Sequence, residues 1–415
     1  MPDLVLRAAT LIDGTGAEPI RPGEVTIRDG KIVAVGSPGR RDPVDAEIVD
    51  YGDATLLPGL IDAHVHLQFT AGPDHPTTRG IHMGATDAER IATAIGNAQR
   101  GLATGVTTMR DTGGYFTLNM DVRDAINAGH VIGPRLLVCG APITTTAGHL
   151  HWCGLRADTR DEVVEAVRTM VEAGADFIKV MATGGMMTPG TSPGMTQYSE
   201  SELQALVDDS HRLRKQVAAH VLGTTGCILA IDAGVDTLEH CSWLDETGEH
   251  GAFRFDAEAA ARIQPATQSV HMTVGAGSRD YVRGVDHLDE MSESDREELH
   301  ERGRYHRAMR ASGTPMVVSS DAGVMTTKHD EFALTIIAAA VTLDLSPVEA
   351  INITTYAPAS TIGLGDVTGA LKPGLAADVL VVEDDVGENI CCVADPIAVY
   401  LGGREVARDR RLVAA

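Results

Sequence analysis

The feature that most constrains the fold is a repeated alternation of short apolar segments and longer helical segments between about residues 58 and 362. Short apolar runs bounded by turn residues are typical of buried strands, and the segments between them have the apolar spacing of amphipathic helices. The segments that we interpret as strands are LIDAHVHL, VTTMRDTG, PRLLVCG, DFIKVMATGG, VAAHVLG, DTLEHCS, RIQPATQSV and TPMVVSSDAG. Eight strands that alternate with helices predict a (β/α)₈ TIM barrel over residues 58–362, with a doubly wound sheet as the second possibility.

The two ends of the chain have a different pattern. Residues 1–57 contain short alternating runs separated by DG and PG turns, without the periodicity of a helix. A similar pattern returns only in residues 363–415, in GALKPGLAADVLVVEDD and IAVYLGGREVARDRRLV. We therefore predict that both ends build one small antiparallel β-sandwich and that the barrel is inserted between them.

Composition and charge exclude several functional classes. The chain of 415 residues has 58 acidic and 34 basic side chains, and its formal net charge of −24 argues against binding to nucleic acid or an anionic membrane. Asp3 and Arg7 interrupt the first apolar stretch, and no segment has the ~18 uncharged apolar residues of a membrane span. We expect a soluble, cytoplasmic protein. Its six cysteines form no CxxC motif, so reduced thiols are expected rather than disulfides.

His64 and His66 lie two residues apart in LIDAHVHL. In a strand, this spacing places both imidazoles on one face, with Cα atoms roughly 6 to 7 Å apart, so both can bind one metal ion. Taken alone, the pattern is also compatible with two ordinary polar residues of a strand.

Four more polar residues occur where chemistry is expected in a barrel, since its active site lies at the C-terminal ends of the strands. Lys179 stands inside an apolar strand, His220 and His240 end two further strands, and Asp321 closes VVSSDAG. Each has an ordinary interpretation, as an edge lysine, a hydrogen-bonded histidine or a turn-capping aspartate. Together with His64 and His66, these residues coincide with strands 1, 4, 5, 6 and 8, which favours one shared metal site.

Together these segments resemble the amidohydrolase superfamily. The resemblance rests on LLPGLIDAHVHL, FIKVMATGG, VAAHVLG, TLEHCSW, SSDAG, NITTYAPASTIGL and GALKPGLAADVLVV, which cover nearly the whole chain. Within the superfamily the chain is most similar to the Xaa-Pro dipeptidase-like and imidazolonepropionase-related group that has a carboxylated lysine. The resemblance implies two divalent metal ions, with the following ligands: His64, His66 and Asp321 for the more buried ion, His220 and His240 for the second, and Lys179 as a bridging carbamate.

Physical chemistry is compatible with the carbamate, because an ammonium beside two divalent cations is disfavoured and the neutral amine can take up carbon dioxide. Imidazole and carboxylate ligands suit zinc best, without excluding manganese, iron, cobalt or nickel.

The resemblance also implies catalytic residues. Asp321 is expected to carry a proton from the nucleophile to the leaving nitrogen, and His149 in the AGH segment to polarise the scissile carbonyl. Weaker candidates for contact with substrate are Tyr198, His151 and His271, and for binding a substrate carboxylate Arg79, Arg156 and Arg279.

The sequence thus predicts a binuclear-metal amidohydrolase. It would cleave an amide bond of a small molecule with a free carboxylate, such as an Xaa-Pro dipeptide or an N-acyl amino acid, by attack of a metal-bridging hydroxide. The alternatives are a deaminase or cyclic-amide hydrolase with one metal, like imidazolonepropionase, and a non-catalytic assembly protein of the same fold. Lys179 disfavours the first, and the presence of six ligand candidates disfavours the second. A homo-oligomer is expected, with no nucleic-acid or membrane partner.

Overall fold

The computed structural model describes residues 3–39, 45–249 and 251–413. Parts of the predicted terminal domain, residues 1–2, 40–44 and 414–415, lie outside the described residues. No helix within the described ranges is both long and apolar enough to span a membrane.

Strands predominate at both ends of the chain. The strands before residue 59 are β1 Leu4–Ala8, β2 Thr10–Leu11, β3 Gly23–Arg28, β4 Lys31–Gly36, β5 Glu47–Asp50 and β6 Thr55–Pro58. The middle of the chain contains β7 Leu60–Val65, β8 Val106–Asp111, β9 Arg135–Val138, β10 Ile143–Thr144, β11 Leu155–Arg156, β12 Ile178–Met181, β13 Val217–Gly223, β14 Thr237–Leu244, β15 Ser269–Thr273 and β16 Met316–Ser319. The strands near the C-terminus are β17 Val379–Val382, β18 Pro396–Leu401, β19 Arg404–Arg408 and β20 Arg411–Leu412.

Helices connect the strands of the middle part of the chain, and three more helices follow β16. They are α1 His75–Gly84, α2 Asp87–Ala103, α3 Leu118–Asn127, α4 Arg160–Ala173, α5 Glu200–Arg212, α6 Thr224–Asp232, α7 Ala257–Ala260, α8 Ala276–Arg279, α9 Glu293–Arg302, α10 Arg304–Ala311, α11 Phe332–Leu343, α12 Pro347–Asn352 and α13 Tyr356–Thr361. Short 3₁₀ helices span Asp280–Val282, Leu288–Glu290 and Ile390–Ala394.

Local sequence fixes the boundaries of several helices. The N-cap residues of helices α2 and α4 are Thr86 and Thr159. Each threonine exchanges hydrogen bonds with the glutamate three residues later in a capping box. Helix α4 ends at Gly174, whose φ of 102° is a left-handed conformation that glycine adopts without steric cost.

The middle strands pair in parallel within two sheets, ordered β11-β10-β12-β13-β14-β15-β16 and β7-β8-β9. Backbone hydrogen bonds connect the end of β7 to the segment after β16: the Asp321 N–H donates to the His64 carbonyl at 3.0 Å, and the His66 N–H to the Ala322 carbonyl at 2.8 Å. The predicted alternation of parallel strands with helices is therefore present. These two bonds bring the first and last middle strands side by side.

Strands from both ends of the chain share sheets and a core. One sheet has the order β4-β3-β1-β5, and the other, β2-β6-β17-β18-β19-β20, joins N-terminal and C-terminal strands. Their buried side chains form one apolar cluster that includes Leu6, Val25, Ile27, Leu56, Val379, Val381 and Tyr400. The sequence predicted antiparallel pairing throughout, but β1 pairs with β5 and β2 with β6 in parallel. The reason is that long connections, rather than tight turns, join these strands.

Removing the C-terminal strands should prevent correct folding. A chain that ends near Gly365 lacks β17, which pairs with β6 in the same sheet and contributes Val379 and Val381 to the cluster that contains Leu56. We expect this chain to be insoluble because it exposes apolar surface and an unpaired strand edge. Soluble yield and cooperative thermal unfolding measure the effect, and a chain ending at Val413, which keeps β20, is the control. A soluble, cooperatively folded truncation would contradict a shared terminal domain.

Candidate metal centre and active site

A cavity of about 160 Å³ collects side chains from β7, β12, β13, β14 and the segment after β16. Its polar lining consists of His64, His66, His75, His149, Lys179, His220, His240 and Asp321, and its apolar lining of Leu150, Met181, Met186, Met187, Leu222 and Val324. The six residues predicted as metal ligands and His149 therefore lie around one space, although they are spread over more than 250 residues of sequence.

His64, His66 and Asp321 form the tightest group. Oδ1 of Asp321 lies 3.5 Å from Nε2 of each histidine, and one ligand atom from each residue lies within 4.8 Å of the others. Both imidazoles are buried. Two imidazole nitrogens and a carboxylate oxygen are a donor set that divalent transition metals such as zinc prefer.

Hydrogen bonds orient the two histidines of this group. Nδ1 of His64 lies 2.6 Å from Oε2 of Glu239, and Nδ1 of His66 lies 2.7 Å from the Gly113 carbonyl. A carbonyl or carboxylate partner on Nδ1 holds the proton there and leaves Nε2 with a free lone pair. Both Nε2 atoms face Asp321, so the ring orientation and tautomer match those of metal ligands.

His220 and His240 form a second pair. Nδ1 of His220 lies 2.9 Å from Nε2 of His240, while their other nitrogens contact the Gly184 carbonyl at 3.2 Å and the Thr273 hydroxyl at 2.7 Å, respectively. Burial lowers the pKa of both rings, and of His66, well below the usual range of histidine. They are therefore neutral, which is the form that binds a cation.

Lys179 is the most unusual member of the cavity. Its side chain is 1% exposed, and Nζ has no hydrogen-bond partner among the described residues. Burial lowers its pKa to about 8, so roughly a tenth of the amine is without its proton at pH 7, far more than for an ordinary lysine. Oδ1 of Asp321 is likewise buried without a hydrogen-bond donor. Two such orphaned polar atoms beside neutral imidazoles fit a site that holds cations.

The backbone is strained where two of the ligand candidates stand. His240 has a φ of 66° and Asp321 a φ of 59°, in the left-handed region that costs energy for residues other than glycine. The sequence predicted that His220 and His240 end their strands, but β13 continues to Gly223 and β14 to Leu244. The register between these strands shifts after Val221, so the irregularity lies inside the strands rather than at their ends.

The sequence model of the amidohydrolase family matches residues 55–406. The chain belongs to the amidohydrolase family. Ochratoxinase of Aspergillus niger is 29% identical over 96% of this chain and 86% of its own length. Imidazolonepropionase of Ralstonia nicotianae is 24% identical over 89% of this chain and 88% of its own length. The crystal structure of a Xaa-Pro dipeptidase with methionine bound in its active site superposes with a TM-score of 0.81, at 24% identity, over 97% of this chain and 99% of that chain.

Membership in the amidohydrolase family confirms the resemblance predicted from the motifs. The chain is a hydrolase that acts on carbon–nitrogen bonds of small molecules. Proteins of this family are generally metal-dependent and have a fold of the TIM-barrel type, in agreement with the candidate ligand group and the parallel strands.

The cavity around the candidate metal ligands, the metal cavity, also contains His149, in the segment after β10. Its ring is buried with its centroid 4.7 Å from that of His220, and its Nδ1 has no partner among the described residues. Burial lowers its pKa to about 3, so the imidazole is neutral. A neutral imidazole at this position can donate one hydrogen bond into the cavity.

Three of the predicted substrate contacts lie away from the lining of this cavity. The Tyr198 hydroxyl donates to the Ala157 carbonyl at 3.0 Å, and Nδ1 of His151 contacts the Gly148 carbonyl at 2.8 Å. His271 is fully buried, with Nε2 3.2 Å from the Thr361 hydroxyl. The proposed contact of these residues with substrate stays a prediction, and the structure brings none of them to the lining.

Sequence reasoning missed a buried charged pair beneath the cavity. Glu239 is fully buried and contacts His64 through one oxygen, while its other oxygen accepts from Arg110 at 3.0 Å and from Thr237 at 2.8 Å. Arg110 in VTTMRD is a charged residue inside an apolar strand, the same signal that singled out Lys179. That signal could have identified the pair.

Glu239→Gln should weaken both metal binding and the fold. The substitution takes away the charge that orients His64 and leaves Arg110 buried without its anion. We expect metal affinity to fall about 10- to 100-fold and the free energy of unfolding by about 3 kcal/mol or more. Metal titration and denaturant unfolding measure these effects. Glu246→Gln removes a similar but exposed pair with Arg254, so it should change stability by less than about 1 kcal/mol. Equal effects of the two substitutions would contradict the role of Glu239.

Proposed function

We propose that this chain is a hydrolase with two zinc ions that cleaves the amide bond of a dipeptide such as Xaa-Pro or of an N-acyl amino acid. The observation that carries this proposal is Lys179: a fully buried amine without a partner among the described residues, in the same cavity as Asp321 and the histidines His64, His66, His220 and His240. An unpaired buried ammonium is too costly to keep without a function.

In this proposal the ligands divide into two groups. His64, His66 and Asp321 would hold one ion, and His220 and His240 the other. The neutral amine of Lys179 forms a bond to the carbon of carbon dioxide and releases one proton, which gives a carbamate. Its two oxygens would supply one ligand to each ion, and its negative charge would offset part of the charge of the ions.

The residues of the cavity have separate tasks in hydrolysis. Bound divalent ions supply Lewis-acid polarisation of the carbonyl and activation of water. The Asp321 carboxylate takes the proton of the attacking water and then delivers it to the leaving nitrogen. The neutral His149 ring donates a hydrogen bond to the carbonyl oxygen as negative charge develops there. The apolar wall of Leu150 and Met181 keeps bulk water out of the site.

The charge of the site supports a substrate with a carboxylate. The carbamate and Asp321 supply two negative charges against four positive charges of the ions, so the site stays positive although the chain as a whole is strongly acidic. The similarity to ochratoxinase and to a Xaa-Pro dipeptidase supports the same class of substrate.

We also propose that the two parallel sheets are arcs of one (β/α)₈ barrel over residues 58–362, and that residues 1–57 and 363–415 form a single β-sandwich domain. The barrel is supported by the hydrogen bonds between the His64 and Asp321 backbones and between His66 and Ala322. The sandwich is supported by the apolar cluster that both ends share and by the 2.7 Å contact between the hydroxyls of Tyr51 and Tyr400.

Release of free amine from a library of dipeptides and N-acyl amino acids tests the proposed activity. We expect turnover of at least one member, loss of turnover after removal of metal by a chelator, and recovery when zinc is added back. A deaminase or cyclic-amide hydrolase with a single metal is the alternative, supported by the similarity to imidazolonepropionase. Release of ammonia from aminated heterocycles or opening of cyclic amides, without any cleavage of linear amides, would replace the proposal by that alternative.

A further inference from the structure

A second cavity of about 260 Å³ adjoins the metal cavity. The two share His75, Asp321 and Val324 as a common wall. The rest of the second cavity comes from the segments that follow β15 and β16 and from the end of α9, with lining residues that include Gly277, Thr327 and Arg302. The two cavities therefore meet at Asp321.

Arg302, the last residue of α9, lines this second cavity and contacts two neighbouring side chains. Its Nε donates to Oε1 of Glu298 at 3.0 Å, and its guanidinium carbon lies 5.4 Å from the centre of the Tyr281 ring. Its Nη1 approaches Gly277 so closely that a Cβ on that glycine would lie 3.0 Å away. Its side chain is 29% exposed, and neither Nη atom has a hydrogen-bond acceptor within the described ranges. Two donors are thus available to a ligand.

A ring nitrogen without a hydrogen-bond partner lies in the wall that the two cavities share. His75 borders both cavities, and its Nδ1 is buried without a hydrogen-bond partner among the described residues. The lining of the second cavity therefore includes the guanidinium of Arg302 and a histidine with an unpaired ring nitrogen.

We infer that the second cavity binds the α-carboxylate of the leaving amino acid through Arg302, and that it makes the enzyme selective for substrates with a free C-terminal carboxylate. The inference rests on the proposed function. Asp321 is the residue proposed to protonate the leaving nitrogen, and one carbon separates that nitrogen from the α-carboxylate. A leaving nitrogen at Asp321 can therefore place its carboxylate in the adjoining cavity, whose lining includes Arg302, and a planar guanidinium matches a carboxylate in geometry and charge.

This orientation also indicates where the acyl half of the substrate binds. With the carboxylate beside Arg302, the acyl group occupies the metal cavity, against the apolar wall of Leu150, Met181 and Leu222. The predicted selectivity is for a bulky apolar acyl or aminoacyl group joined to an amino acid with a free carboxylate, and against the corresponding carboxamide.

Steady-state kinetics on a matched pair of substrates tests the role of Arg302. The pair is the best N-acyl amino acid or dipeptide from the library and its C-terminal carboxamide. We expect the wild type to prefer the acid, and Arg302→Met to lower kcat/KM for the acid about 10- to 100-fold, mainly through KM, while the carboxamide changes little. Arg302→Lys should lie between the two. Arg304→Met removes an exposed guanidinium that lines neither cavity and should leave both substrates unchanged.

A binding measurement separates this inference from the proposed activity. Calorimetric titration of the metal-loaded protein with L-leucine and with L-leucinamide requires no turnover. We expect L-leucine to bind the wild type at least about tenfold more tightly than Arg302→Met, with no such difference for L-leucinamide. If L-leucine binds as predicted but no amide is hydrolysed, the proposed function is refuted and the carboxylate subsite is supported. Hydrolysis with equal effects on acid and carboxamide, or no binding of L-leucine to the wild type, would refute the subsite.

Discussion

Lys179→Ala should lose most of its bound metal and at least about 100-fold of its hydrolytic activity. The reason is that the substitution removes the proposed ligand common to both ions, while the histidines and Asp321 remain. The metal-free protein should be no less stable than metal-free wild type, because a buried amine without a partner contributes nothing favourable to the fold. Metal analysis, turnover and denaturant unfolding measure these three effects.

Two comparisons distinguish a ligand from a merely structural lysine. Short carboxylic acids added to Lys179→Ala should partly restore turnover, because they can bridge two ions as the proposed carbamate would. Lys372→Ala removes an exposed lysine of the terminal region and should leave metal content and activity unchanged. Normal metal content and activity in Lys179→Ala would eliminate the bridging role.

Asp321→Asn should lower kcat by at least about 100-fold while the fold and much of the bound metal survive. Asparagine keeps an oxygen that can bind an ion, but it cannot accept a proton. It also tolerates the left-handed backbone at this position, where φ is 59°. Turnover and metal content of the same preparation separate the proton transfer from the ligand role.

Asp344→Asn is a matched control for this substitution. Asp344 also has a left-handed backbone, with a φ of 54°, but it is exposed at the end of α11 and does not line the metal cavity. It should show wild-type kcat. Wild-type kcat in Asp321→Asn with metal bound would transfer the proton role to another residue, and His149 would be tested next.

The grouping of the ligand candidates around one cavity could be predicted because side-chain directions in strands follow simple rules. Side chains two residues apart share one face, which brought His64 and His66 together in the prediction, with ring centroids 5.5 Å apart in the structure. A charged residue in an apolar strand needs a partner or a function, which singled out Lys179 before any neighbour was known. Alternation of strands and helices then placed residues distant in sequence at one edge of a parallel sheet.

Residues outside the strands were not predictable in the same way. Tyr198 and His151 lie in long connections, and packing of those connections turned both side chains toward backbone carbonyls rather than into the cavity. Arg302 reaches the second cavity from the end of a helix about thirty residues after β15. No periodicity relates that position to the strands, so only the folded path of the connection shows where its guanidinium lies.

The metal content of protein purified without chelator tests the central claim most directly. The proposal of two ions bridged through Lys179 predicts about two equivalents of divalent metal per chain in the wild type, and one or fewer in Lys179→Ala. It also predicts a carbamate carbon signal in the NMR spectrum of wild type prepared with ¹³C-labelled carbon dioxide, and no such signal in the variant. A single equivalent in the wild type that Lys179→Ala retains, with no carbamate signal, would contradict the account.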